Sequence, residues 1–187
     1  MKFTMKNRKK NRLLGYDYRQ YGYYFVTICS NNRIKWFGNI ENNHMVLNLS
    51  GQIVRQQLQW LEKRYSYIKL DEYIIMPNHI HGIIIIKNYV GNGRDRSLQQ
   101  IKSLSSIIGA FKTTSSKLIH RNKLLEFKWQ KSFHDHIIRN DKSLHQIREY
   151  IINNPLNWNN DENNIIPKYS KDGISKKPLP TIKNRLF

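Results

Sequence analysis

The chain has 187 residues, enough for one domain with a proper hydrophobic core and too few to suggest two. Its 32 Lys and Arg outnumber 13 Asp and Glu by 19 charges, which points to a polyanionic partner, nucleic acid before an anionic membrane surface. No run of about 18 apolar residues occurs, and the single cysteine, Cys29, excludes an internal disulfide and a Cys-based metal site and fits a reducing cytoplasm.

Residues 1–20 carry seven basic side chains against one acid, Asp17, and read as a solvated basic arm able to track DNA through Lys9, Lys10, Arg12, Tyr16 and Tyr18. YYFVTICS from Tyr23 to Ser30 predicts a buried strand that ends at Asn31-Asn32, and Met45 to Leu49 adds a short second piece. Ser50 is placed to cap a helix through about Arg64, with Ile53, Leu58 and Leu61 on its apolar side. Ile68 to Met76 and His79 to Lys87 read as two strands joined at Pro77-Asn78. Ile83 to Ile86 are apolar at consecutive positions, so the second of these strands is expected to be central and covered on both faces.

The stretch 88–96, with Gly91-Asn92-Gly93, reads as a mobile loop without the Lys-Ser/Thr continuation of a phosphate-binding loop. A helix is predicted from about Ser97 to Arg121, a last strand from Phe133 to Arg139, and a further helix from Asp141 or Ser143 to about Asn153, stopped by Pro155. The expected organisation is a basic arm over 1–20, a domain over 21–158 and an extended basic tail over 159–187. The expected fold class is α+β: a ferredoxin-like βαββαβ antiparallel sheet with an added C-terminal helix.

Alternate side chains of a strand share a face, so His79 and His81 project together while Ile80 points to the opposite layer. Two imidazoles aimed at one point suit a divalent first-row metal. The same spacing also fits two buried structural histidines. Their placement in an isoleucine strand breaks the local hydrophobic rule, as functional sites do. On the last helix Leu144, Ile147 and Ile151 form an apolar stripe, and Tyr150 lies about 100° from its centre, at the border with solvent. Asn154 follows one turn later on the same side. A phenol with a pKa near 10 needs a nearby cation or base to act as a nucleophile. In FHDHIIR, His134 and His136 share one strand face and Asp135 takes the other, so the three do not converge on one ion without a bulge.

Four stretches together resemble the single-tyrosine HUH transposases, and specifically the REP-associated tyrosine transposases. They are GYDYRQYGYYFVTICSNNR at 15–33, IIMPNHIHGIIII at 74–86, WQKSFHDHIIRND at 129–141 and REYIINNPLNW at 148–158. The resemblance implies a Mg or Mn ion on His79 and His81, a third ligand at Asn154, and Tyr150 as the nucleophile of a 5′-phosphotyrosine intermediate. It further implies single-stranded DNA bearing REP-like hairpins as partner. A monomer or homodimer in the cytoplasm, at the nucleoid and with no membrane partner, is expected beside it. Lys112 and Arg139 join the arm as candidate phosphate contacts. A hairpin-binding protein without cleavage activity and an HUH replication initiator or relaxase are the alternatives.

Replacing Lys9, Lys10 and Arg12 with alanine is expected to flatten the salt dependence of single-stranded DNA binding, by about 0.7 in log–log slope for each phosphate no longer neutralised. An unchanged slope in a salt titration removes the arm from the DNA interface.

Overall fold

Alternation along two neighbouring strands, β1 (Gly22–Cys29) and β5 (His79–Ile86), divides the protein into two layers. A computed structural model describes residues 12–88 and 101–164. In it Tyr24, Val26, Ile28, Ile80, Ile84 and Ile86 face one way and pack under α1 (Leu49–Arg64) and α2 (Leu104–Arg121). On the other side Ile83 and Ile85 meet Ile147 and Ile151 of α3 (Asp141–Ile152), with Tyr23, Phe25 and Leu144 at the margin. Every residue of β5 is buried, as its unbroken apolar run predicts.

The remaining strands are β2 (Gly38–Glu41), β3 (His44–Leu47), β4 (Ile68–Ile75) and β6 (His134–Ile138). The main sheet runs β4-β5-β1-β6 with antiparallel neighbours throughout, which is the ferredoxin-like α+β arrangement. The added helix α3 covers the face opposite α1 and α2. It is tied to the sheet by Arg148, which donates to Asp71 Oδ2 from Nε at 2.9 Å and from Nη2 at 2.7 Å. Asp71 lies in the register irregularity of β4 between Leu70 and Tyr73.

Several local expectations shift. Asn48, not Ser50, caps α1 by accepting from the Gly51 amide at 3.0 Å, while Ser50 is buried within the first turn. The short piece near Met45 is half of a β2–β3 hairpin turning at Asn42 and Asn43, whose positive φ of 48° and 62° suits asparagine. Helix α2 starts at Leu104, with Ser103 accepting from the Ser106 amide at 3.3 Å. Residues 101–103 are not helical, and the earlier part of the predicted helix lies outside the described residues. So do Lys9, Lys10, the loop from 89 to 96 and residues 165–187. Asn140 caps α3 through the Ser143 amide at 2.8 Å. Past Pro155 the chain forms a 3-10 turn, Pro155–Asn160, that crosses the boundary expected at 158. It then continues to Asn164 against the sheet.

Gly51 sits in the first turn of α1 where a Cβ would collide with the Phe37 carbonyl oxygen and press on Leu47. Helix propensity alone makes alanine there stabilising by roughly 0.5–1 kcal/mol. The backbone contact reverses the sign: Gly51→Ala is expected to destabilise by about 1–3 kcal/mol and lower the melting temperature by several degrees, checked by thermal denaturation.

Candidate metal and nucleophile site

His79 and His81 leave β5 on the α3 side, their ring centroids 4.4 Å apart. The state of His79 follows from its neighbour Asn78. The Asn78 amide nitrogen donates to two backbone carbonyls, Arg33 O at 2.9 Å and Asn163 O at 2.8 Å, which fixes the orientation of the amide. Its Oδ1 therefore faces His79 Nδ1 at 2.8 Å, so Nδ1 carries the proton and Nε2 keeps its lone pair. Nε2 is buried and has no hydrogen-bond partner. His81 Nδ1 lies 2.9 Å from Oγ1 of Thr27, its partner in the register of β1. Such contacts to the far ring nitrogen are how metal-binding histidines are oriented. Both imidazoles are held neutral. Burial, then the charge of Arg33, pushes His81 down to about 3. Burial, then His81 and Arg33, holds His79 well below the usual range.

Tyr150 brings its hydroxyl 3.2 Å from His81 Nε2, and its ring meets the edge of Phe25, which itself stacks on His81. The tyrosine is 39% exposed, at the core–solvent border that the helix stripe predicts. Burial of its hydroxyl and the carboxylate of Asp161 push its pKa up to about 12, while a hydrogen bond from Asn154 pulls the other way. Asn154 is buried, with Oδ1 lacking a partner. Asp161 adds a carboxylate: Oδ2 is buried, unpartnered and 3.8 Å from His79 Nε2. The Asn163 amide donates to Oδ1 of the same group at 2.6 Å. One ligand atom from each of His79, His81 and Asp161 falls within 4.8 Å of the others.

Three buried acceptors without protein donors, His79 Nε2, Asn154 Oδ1 and Asp161 Oδ2, are costly, each by about 1–3 kcal/mol unless a cation or a water satisfies them. Imidazole nitrogen, amide oxygen and carboxylate oxygen are together a donor set for a divalent ion. The residues expected from the sequence, His79, His81, Asn154 and Tyr150, are thus gathered at one place. Asp161 was missed, because it lies in the stretch read as tail.

The expected DNA contacts fare differently. Tyr18 is 8% exposed and its hydroxyl accepts from the Leu13 amide at 3.1 Å. The Tyr16 hydroxyl meets that of Tyr24 at 3.3 Å. The Arg12 guanidinium lies over the rings of Phe133 and Tyr18, donates to Ser105, and stands 3.8 Å from the buried Asp135. Lys112 donates to the carbonyls of Gln130 at 2.8 Å and Ser132 at 3.0 Å, and burial lowers its pKa to about 8. These four side chains all make contacts within the protein. Arg139 instead lines an open cleft of about 430 Å³ with His136, Asn140 and Lys142, between β6 and the start of α3. His134 pairs with Thr27 and so shares the face of His81, while Asp135 points to the α2 side, as strand alternation requires.

In class, this is the fold of a REP-associated tyrosine transposase. A solved structure of such a protein, bound to a REP hairpin, superposes on 81% of this chain and 74% of its own with a TM-score of 0.55, at 21% identity. By sequence, the chain belongs to the same family as an uncharacterised protein of Haemophilus influenzae. The two are 37% identical over 166 residues, spanning 83% of this chain and 92% of that protein. No family model matches the chain. Among the described residues no helix is long and apolar enough to cross a membrane.

Without metal, the unfolded chain binds protons on these histidines from about pH 6.5 downward, whereas folded His81 resists to about 3. Stability in chelator is therefore expected to fall as pH drops through that window. His81→Gln is expected to flatten the fall, measured as urea midpoints between roughly pH 7 and pH 4.

Proposed function

We propose that the protein nicks and rejoins single-stranded DNA beside hairpins, with Tyr150 as nucleophile and a divalent metal, Mg or Mn, as cofactor. The observation that carries the reading is the Tyr150 hydroxyl, 3.2 Å from His81 Nε2, at the edge of a cluster of three buried, unpartnered acceptors. An excess of 19 positive charges supports a nucleic-acid substrate. The fold shared with a transposase bound to a REP hairpin supports hairpin DNA in particular.

His79, His81, Asn154 and Asp161 would hold the ion. When bound it supplies Lewis-acid polarisation of the scissile phosphate. Tyr150 Oη attacks phosphorus, the bond from phosphorus to the 3′-oxygen breaks, and the 5′ side stays on the protein as a phosphotyrosine. The phenol proton leaves to water at the exposed edge of the ring, and the departing 3′-oxygen takes one from water. Attack of a 3′-hydroxyl on the phosphotyrosine reverses the exchange, and since one phosphodiester replaces another, no ATP is required. Asn154 steadies the phenol oxygen through its amide, and Phe25 holds the ring edge-on. Arg139 and the basic arm are the proposed contacts to the rest of the strand, and the protein would act on DNA at the nucleoid.

Incubation of hairpin-bearing single-stranded DNA with Mn or Mg is expected to yield a covalent adduct on a denaturing gel. Tyr150→Phe is expected to yield none. Asp161→Asn is expected to raise the metal concentration needed by about tenfold or more. The same adduct from Tyr150→Phe would show that the nucleophile lies elsewhere.

A further inference from the structure

Arg33 has no ion-pair partner among the described residues, Asp161 of the same site included. Its Nη1 is buried and makes no hydrogen bond. Its backbone is in the left-handed region, φ 55°, directly after Asn32 at φ 54°. An asparagine would sit there with less strain than a long side chain, so the backbone conformation does not explain the arginine. The backbone of the residue is tied to the site. Asn78, the side chain that fixes the His79 tautomer, also donates to the Arg33 carbonyl at 2.9 Å. The guanidinium is near enough for its charge to act on His79, His81 and half-buried His134.

A bare guanidinium beside a cation site is a repulsive pair unless an anion lies between them. The phosphate of a bound strand is that anion, and guanidinium is the side chain best shaped to take its oxygens. We infer that Arg33 binds a non-bridging oxygen of the scissile phosphodiester and makes phosphate and metal binding mutually dependent. The inference rests on the metal site proposed above. Before DNA arrives, Arg33 opposes loading of the ion. Once a phosphate spans the two charges, each ligand strengthens the other.

The test uses the full chain carrying Tyr150→Phe, so that no strand is cut, and a single-stranded oligothymidylate of roughly ten nucleotides, within the usual footprint of such sites. Mn binding is followed by the electron paramagnetic resonance of free Mn, with and without the oligonucleotide. With Arg33 present, the oligonucleotide is expected to tighten Mn binding by about 5- to 150-fold, the usual range of coupling between sites. Adding Arg33→Asn is expected to tighten Mn binding in the absence of DNA and to abolish most of the coupling. Arg33→Lys, which keeps the charge, is expected to retain part of it. Arg33→Asn suits the positive φ, so its melting temperature should equal or exceed that of the parent, which separates loss of coupling from loss of fold. In metal-free buffer, Arg33→Asn should also lower the salt slope of oligonucleotide binding by about 0.7, the value for one phosphate. Coupling and slope both unchanged in Arg33→Asn would overturn the role of Arg33. If the parent binds no Mn, the metal reading and the coupling fall together, and the salt slope alone decides whether Arg33 holds a phosphate.

Discussion

One amide side chain, that of Asn78, ties the candidate site together. Its two N–H bonds go to the carbonyls of Arg33 and Asn163, and its oxygen accepts from the N–H at His79 Nδ1. Three segments far apart in sequence are thereby brought to one point: the turn after β1, the start of β5 and the stretch beyond α3. The amide is fully buried, so each of its bonds is made in a low-dielectric interior, where leaving any of them unmade is expensive. The same bonds decide the chemistry, because they leave the His79 lone pair on the nitrogen that faces Asp161.

The two layers of the sheet divide the work. Beneath α1 and α2 the protein closes a continuous apolar core that includes Tyr24, Phe37, Leu61, Phe111 and Ile84. The opposite face has only α3, whose apolar contacts centre on Ile83, Ile85, Ile138, Ile147 and Ile151. At the end of that face where β5 begins, polar groups replace apolar ones. The pair His79 and His81 meets Tyr150 from the helix and Asp161 from the turn that follows it. Arg148 on Asp71 holds the helix against β4 two residues before Tyr150, so the position of the hydroxyl is set by the sheet as well as by the helix.

The site carries unpaired buried acceptors and an unpaired buried guanidinium nitrogen within one fold. A protein selected for stability alone would pair or remove them. Under the function proposed above, these open groups of opposite need would be met by a metal ion and a phosphate. The rings of Phe25 and Tyr150 pack around His81, one stacked on it and the other edge-on.

Local rules made much of this legible. Strand alternation put His79 and His81 on one face, the isoleucine run marked β5 as central, and helix periodicity set Tyr150 at the solvent border with Asn154 a turn beyond. Each of these depends only on neighbours along the chain. Caps and edges were less legible, since Asn48 and Ser50 are both capping types and only the backbone path chooses between them. Tyr16, Tyr18, Arg12 and Lys112 could equally have met DNA or the protein's own backbone. The structure shows the contacts they make within the protein, near β6 and α2, which the sequence alone does not show. Asp161 and Arg33 were invisible for the same reason: their roles come from contacts across the sheet, through Asn78 and His79, between residues 45 to 85 positions apart. Periodicity along the sequence determined which side chains share a face. Only the tertiary structure decided which distant groups share a site, because that depends on where buried hydrogen bonds close the chain.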